Sequence, residues 1–289
     1  MILNNITEAK QYLPSLNLTL ENDRFDDFFR RAQGWLVSHI IGEEIETMLN
    51  IPVGENQTDS HFDLRQHCQR VIAERGLLDA IPEMDMQLTE AGFAVQKNDN
   101  FSPASSQRVD RLIAKMPERI AADTDALVRY LMKNSTGEGA YADWRSSAQF
   151  NYLTAAFMPL MEDYSARCKV LNPKDSVSAA YDDFYGVVPL MAREMGETAN
   201  YFVSKAEIER LLELYRDNEL LNVHRLAIES LKDVAVFALR YNAKAARNAA
   251  VQARDIMLAN LEYFPAFATS PAATQKDINL DGGKTVNFL

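Results

Sequence analysis

Two segments of this chain carry the same run of apolar positions, one starting at residue 25 and the other at residue 181. In both, apolar side chains recur at i, i+3, i+4, i+7, i+10 and i+11, which is the spacing of one face of an α-helix. The first set comprises Phe25, Phe28, Phe29, Ala32, Trp35 and Leu36, and the second comprises Tyr181, Phe184, Tyr185, Val188, Met191 and Ala192. Each segment therefore predicts an amphipathic helix that buries one face.

A glycine followed by glutamate comes after each set, at Gly42 and at Gly196. We expect each glycine to close its helix with a left-handed backbone, which a residue without Cβ adopts at little cost. The two registers differ by two residues there, and Pro189 falls inside the second set, where it kinks the helix or starts a new one. Two hypotheses stay open: an internal duplication, or chance similarity between two amphipathic helices.

Further helices are predicted after each copy. Ser60 with Asp63 resembles a helix cap before an apolar stripe over about residues 60–81, and Ser204 with Glu207 forms a capping-box pattern. A longer stripe runs from Val223 to Tyr241. We therefore expect two related helical bundles, in residues 1–138 and 139–264.

The later part of the first bundle has a different pattern of residues. Short apolar and polar alternation around Gly92 predicts a small β-hairpin near residues 85–97. A polar connector follows, and then a helix that Pro117 interrupts, with a further helix over about 118–133. A glycine-containing loop after these helices suggests the boundary near residue 138.

Residues 265–289 lack a helical stripe, so we expect an extended C-terminal arm. Within it, residues 278–289 alternate around a glycine-containing turn, and they could form a hairpin or add to a neighbouring subunit. The same stretch imitates half of a calcium-binding loop with Asp277, Asn279, Asp281 and Gly282. The twelfth position is Phe288 instead of a bidentate carboxylate, so an ordinary polar turn is the simpler interpretation.

Chemistry-bearing motifs are sparse in the sequence. It has no Glu-x-x-His pair, phosphate-binding loop, dinucleotide-binding turn or nucleophile elbow, and we expect no catalytic residues, metal or cofactor. Acidic helix starts account for Glu43, Glu44 and Glu46 better than acid-base catalysis does. The two cysteines, Cys68 and Cys168, are predicted to be small buried apolar groups.

The sequence contains one basic stripe, although the net charge of the chain is −11. If residues 239–257 form one helix, the stripe lies on one side of it and small alanines lie beside it. The stripe consists of Arg240, Lys244, Arg247 and Arg254. Three interpretations stay open: a solvated outer face, a salt-bridged contact with an acidic neighbouring subunit, or a local contact with nucleic-acid phosphates. The acidic surplus argues against a whole surface that coats nucleic acid.

Two resemblances bear on function. Residues 6–45, "ITEAKQYLPSLNLTLENDRFDDFFRRAQGWLVSHIIGEEI", resemble the opening of small helical head-tail connector proteins of tailed phages. "LTEAGFAV" (88–95) followed by "SPASSQRVDRL" (102–112) resembles an uncharacterised family of bacterial prophage proteins of about this length, a likeness that covers most of the chain. Because the connectors are much shorter, this chain would be a doubled or elaborated version of one.

These resemblances imply a non-enzymatic structural protein that stacks in a ring between capsid and tail. The expected partners are portal or tail components and copies of the same chain, with no membrane and with nucleic acid touched at most locally. The expected locations are the cytoplasm during assembly and then the virion. The alternatives are a helical protein-binding or nucleic-acid-binding module of a mobile element, and an enzyme with a carboxylate site that no motif reveals.

Overall fold

A computed structural model of the chain describes residues 1–3, 5–13, 25–51, 59–84, 87–89, 92–94, 106–137, 139–171, 184–240 and 242–274. These residues are mostly helical, which confirms the prediction of a mainly α protein. The chain divides into two compact units, Met1–Val188 and Pro189–Leu289. None of the described helices is long and apolar enough to cross a bilayer.

The first unit begins with helices that pack on one another around a long central helix. Its helical elements are α1 (Ile6–Ala9), α2 (Asp26–Leu36), a π-helical segment (Val37–Ile41), α3 (Gly42–Leu49), α4 (Phe62–Met84), α5 (Ser106–Asn134), a 3₁₀ turn (Ala142–Ser146), α6 (Ala148–Thr154) and α7 (Met161–Leu171). Helix α4 packs against both α2 and α5. Four consecutive residues of α4, from Val71 to Glu74, are buried because the helix is covered on two sides.

The π-helical segment joins α2 to the region around α6. Its wide turn presents the carbonyl of Ile40, which accepts a hydrogen bond of 2.8 Å from the indole Nε1 of Trp144. Gly42 then ends the segment with a φ of +79°, and a Cβ there would lie 3.0 Å from Oε1 of Gln149. Gly42 thus ends the segment with a positive φ, as expected, but its ψ of 166° lies far from the left-handed helical value, so the predicted left-handed closure is not formed.

Two short strands lie between α4 and α5. Strand β1 (Gln87–Thr89) pairs antiparallel with β2 (Gly92–Ala94), with Leu88 opposite Phe93. They fall inside the range 85–97, and the other residues of that range lie outside the described part of the chain.

Helix α8 (Phe184–Ala199) contains the division between the two units. The second unit continues with α9 (Lys205–Arg216), α10 (Asn222–Leu239), α11 (Ala243–Leu258), a 3₁₀ turn (Leu261–Tyr263), α12 (Pro265–Ala268) and α13 (Pro271–Thr274). Helices α10 and α11 form the main helix pair. Buried alanines on α11, among them Ala246, Ala250 and Ala253, let the two backbones approach closely.

The expected end of helix α8 is wrong, and the duplication finds no support. Gly196 lies inside α8, whereas Gly42 ends the π-helical segment. A helix accepts a glycine in its interior at a cost of about 1 kcal/mol, which packing of the neighbouring Met195 and Ala199 can offset. The first copy is thus split into three helical pieces, while the described part of the second copy is one helix.

The prolines and the division of the chain also differ from expectation. Helix α5 runs unbroken through Pro117, and α8 runs through Pro189. Burial of the surrounding apolar face holds such a helix together although proline supplies no N–H. The compact units divide after Val188 and not near residue 138. The reason is that residues following 138, such as Trp144, bind back to earlier helices.

The start of the predicted C-terminal arm belongs to the core of the second unit. Residues 265–274 form α12 and α13 instead of an extended segment, with Phe264 and Phe267 fully buried. Two prolines explain the local structure, because Pro265 and Pro271 each occupy the first position of a short helix, where a missing N–H costs nothing. The predicted hairpin and the calcium-like loop lie in 275–289, outside the described residues.

Candidate functional site

The basic stripe does not lie on one helix. Helix α10 ends at Leu239 with Arg240 as its C-cap, and α11 begins only at Ala243. Asn242 separates them, since its side-chain Oδ1 accepts a 3.1 Å hydrogen bond from the N–H of Ala245. Asparagine is a strong N-cap residue, so Asn242 could have predicted the start of a new helix. The spacing of the basic residues alone does not reveal this break.

Two members of the stripe contact their own unit. The Nε of Arg254 donates a 3.1 Å hydrogen bond to the carbonyl of Ala272 in α13. The guanidinium of Arg247 lies 5.7 Å from the ring centroid of Phe202. Lys244 is exposed on α11. The stripe therefore spans the break between two helices, and Arg254 is part of the packing of the C-terminal helices.

The residues of the repeat pattern are core residues where the structure describes them. Phe25, Phe28, Phe29, Phe184 and Tyr185 are all buried. Tyr181 lies outside the described residues. Burial of these aromatic rings confirms the apolar faces that the spacing predicts, and it gives them a packing role.

Asp125 joins three segments of the first unit. Its carboxylate accepts hydrogen bonds from the N–H of Met161 (2.8 Å), the N–H of Glu162 (2.9 Å) and the hydroxyl of Tyr185 (2.6 Å). The two amides belong to the first turn of α7, where no partner exists within the helix. Burial raises the pKa of Asp125, although these hydrogen bonds and Arg129 oppose the rise.

A cleft of about 480 Å³ opens beside Asp125, between α5 and α7. Its polar lining consists of Glu118, Asp125, Arg129, Glu162 and Ser165. Arg129 is paired with Glu162 across the cleft, and both side chains are about half exposed or more. Since Asp125 is occupied by three internal donors, its carboxylate holds α7 in place and is not presented to a ligand.

A second buried carboxyl group lies between α4 and α5. Glu74 is buried, and its Oε1 accepts a hydrogen bond from the Nη2 of Arg119. Asp123 lies beside it, and Arg70 is 3.5 Å from Oδ1 of Asp123. No spacing in the sequence pointed to this cluster, because its members come from two helices that the hairpin region separates.

In the second unit, Glu207 is fully buried and binds the C-terminal helices. Its Oε1 accepts a 2.8 Å hydrogen bond from Nε of Arg210, and its Oε2 accepts one of 2.8 Å from the N–H of Phe267. The predicted cap is confirmed in part, since the hydroxyl of Ser204 accepts from the N–H of Glu207 at 3.2 Å. The carboxylate, however, fixes α12 instead of completing a capping box.

Several large apolar side chains near the start of α10 and in the 3₁₀ turn at Leu261–Tyr263 are exposed. The ring Nδ1 of this buried histidine accepts a hydrogen bond from the N–H of Leu221 (3.2 Å), so its Nε2 donates to the carbonyl of Tyr263 (3.1 Å). One imidazole thus brings Leu221 and Tyr263 together. We name as the apolar surface the exposed side chains of these two segments, namely Leu221, Leu226, Leu261 and Tyr263.

Neither cysteine is available for chemistry at the surface. Cys68 and Cys168 are both buried, which confirms their predicted packing role. Burial raises the pKa of the Cys68 thiol and keeps it protonated. In the part of the chain that the structure describes, no three His, Cys, Asp or Glu side chains converge in a way that could hold a metal ion.

Residues 43–154 of the chain are similar to a family of unknown function, DUF6712. The match spans α3 to α6, and therefore includes Glu74 and Asp125, but it includes neither the three donors to Asp125 nor any of the second unit. No curated protein and no solved structure matches the chain.

Proposed function

We propose that this protein is a non-enzymatic structural component of a phage or prophage particle, in the class of head-tail connectors or other virion assembly proteins. The observation that carries the proposal is the apolar surface of the second unit. Large apolar side chains grouped in solvent are typical of a surface that another protein covers. The sequence resemblance of residues 6–45 to phage connectors gives that other protein its class.

The side chains of the apolar surface are strongly exposed. Leu226 is 60% exposed and Leu221 is 51% exposed, although both lie on or next to a helix whose opposite face is packed. A rigid backbone holds them, because His224 links the start of α10 to the 3₁₀ turn that carries Leu261 and Tyr263. Apolar groups on a preorganised backbone lose little entropy on association, so a neighbouring subunit can bind there without refolding.

The buried carboxylates support a structural role. Asp125 holds the start of α7, and Glu207 holds α12 with Arg210. Each of these carboxylates is occupied by donors from its own unit, which is how a polar group fixes the relative position of helices. A ring subunit requires this rigidity, whereas it does not require a pocket of converging reactive groups.

Native mass spectrometry of the purified full-length chain tests the proposal, first alone and then mixed with the portal-like product of neighbouring genes. We expect a closed oligomer or a complex of defined stoichiometry. A chain that stays monomeric and does not bind the portal-like protein would overturn the proposal.

A pair of matched variants tests the apolar surface itself. Leu226→Lys is expected to weaken the assembly at least tenfold, because it places a charge in the contact. Ile51→Lys is the control, since Ile51 is equally exposed at 63% but lies in the first unit. Circular dichroism should show that both variants stay folded. Equal assembly of the two variants would exclude the apolar surface as the contact.

A further inference from the structure

The interface between α4 and α5 contains a buried carboxyl oxygen that no donor in the described part of the chain reaches. The side chain of Glu74 is only 4% exposed, and Arg119 from α5 donates to its Oε1. Its Oε2 is also buried, and none of the described residues supplies a hydrogen-bond donor to it. A buried carboxylate oxygen without a donor is costly, so an interface with an ionised Glu74 lacks one hydrogen bond.

The group that can complete the interface is another acid. Asp123 lies one turn after Arg119 on α5 and pairs with Arg70, which lies one turn before Glu74 on α4, so the two carboxyl groups lie on the facing sides of the two helices. Two ionised carboxylates repel each other and neither can donate. When one proton lies between them, the protonated oxygen donates to the other group and the missing hydrogen bond is made.

The surrounding charges favour one proton instead of two. Arg119 pairs with Glu74, and Arg70 on α4 lies 3.5 Å from Asp123, so one negative charge on the pair is well compensated. His67 and Asp63 of α4 also act on this region, where burial and Arg70 lower the pKa of His67. These groups set the environment of the pair from both helices.

Charged and polar groups from α1 and α2 also contact α4, at positions other than Glu74. From the α1 region, the hydroxyl of Tyr12 donates to Gln69, and its ring lies 6.0 Å from the guanidinium of Arg70. From α2, Arg31 pairs with Glu83 near the far end of α4. Neither of these contacts supplies a donor to Oε2 of Glu74.

We propose that Glu74 and Asp123 bind one shared proton across the α4–α5 interface, and that this proton stabilises the packing of the first unit. The site is therefore a built-in pH sensor: the two helices are held together when the proton is present, and the contact weakens when it leaves. The ligand is the proton itself.

The direction of the pH dependence follows from the shift of Glu74. Burial and then Asp123 raise the pKa of Glu74 from 4.5 to about 7. Because the folded state binds the proton more tightly than the unfolded chain, this stabilisation is fully present below pH 4.5 and is lost as the pH rises through about 7. The first unit should therefore be less stable at pH 8 than at pH 5.

The first experiment is a ¹³C NMR titration of the side-chain carboxyl carbons in the full-length protein, with Glu74 assigned through Glu74→Gln. We expect the pair to titrate with an apparent pKa near neutrality. A Glu74 signal that titrates near its ordinary value would overturn the proposal.

Thermal unfolding at pH 5 and pH 8 provides the second test. A glutamine at position 74 keeps an acceptor for Arg119 and supplies a permanent N–H donor toward Asp123. Between pH 5 and pH 8, we expect the Tm of wild type to fall by on the order of 5 °C more than the Tm of Glu74→Gln.

Glu83→Gln is the matched control, because it changes the same residue type on the same helix at a carboxylate that is 59% exposed. Its Tm should follow wild type at both pH values. If Glu74→Gln also follows wild type, or if Asp123→Asn leaves the titration of Glu74 unchanged, the shared proton is excluded.

Discussion

Each of the two units buries a glutamate on a helix, and the two glutamates have different surroundings. Glu207 in the second unit receives donors on both carboxylate oxygens, from Arg210 and from the backbone of Phe267. Glu74 in the first unit receives a donor from the described residues on one oxygen only, and it lies beside another carboxyl group. Burial alone therefore does not determine the role of an acidic side chain. The number of hydrogen-bond donors that reach its two oxygens matters as well.

The largest effect is expected from Glu207→Gln. The neutral amide has one acceptor oxygen, so either Arg210 or the N–H of Phe267 loses its partner inside the protein. We expect the free energy of unfolding to fall by about 3 kcal/mol, as measured by urea denaturation. Glu209→Gln is the control, because Glu209 is 60% exposed and should change stability by less than about 0.5 kcal/mol.

This substitution also separates the two glutamates. We expect Glu207→Gln to lower the free energy of unfolding at both pH 5 and pH 8, whereas Glu74→Gln should raise it at pH 8. If the two glutamine variants respond to pH in the same way, the contrast between the units is wrong.

A smaller effect is expected from Asp125→Asn in the first unit. Asparagine can accept from only one side of its amide, so at least one N–H in the first turn of α7 loses its acceptor. We expect a loss of about 2 kcal/mol in chemical denaturation, accompanied by faster hydrogen exchange at Met161 and Glu162. Asp27→Asn, at a carboxylate that is 77% exposed, should leave both measurements unchanged.

The smallest effect is expected from Arg254→Met, which tests the division of the basic stripe. It removes the hydrogen bond to Ala272 while it keeps most of the apolar stem, so we expect a loss of about 1 kcal/mol by urea denaturation. Lys244→Met on the same helix should have almost no effect. Equal losses in the two variants would mean that the contact of Arg254 with α13 does not stabilise the second unit.

Local sequence patterns predicted much of the secondary structure. The aromatic spacing identified buried faces at Phe28, Phe29 and Phe184, and Ser204 was recognised as a helix cap. Both results depend on residues within one or two turns of each other, where helix geometry fixes the distances. Gly196 shows the limit of such patterns, because a glycine closes a helix only when the chain around it also turns away.

The stripe of arginines and the C-terminal segment show a different limit. Arg240 and Arg254 share a helical spacing only if no break lies between them, and the cap at Asn242 supplies that break. Residues 265–274 lack an apolar stripe, yet Phe267 is fully buried, because very short helices need only one or two side chains to dock.

The sequence by itself determined where helices form and which of their faces are apolar, because propensity, caps and periodicity act over a few residues. Only the tertiary structure decided the roles of the polar residues. Asp125 reaches Met161 across 36 positions, and Trp144 reaches Ile40 across 104. Whether Glu74 keeps a proton depends on which donors are within about 3 Å after folding, and that distance is set by the packing of α4 on α5.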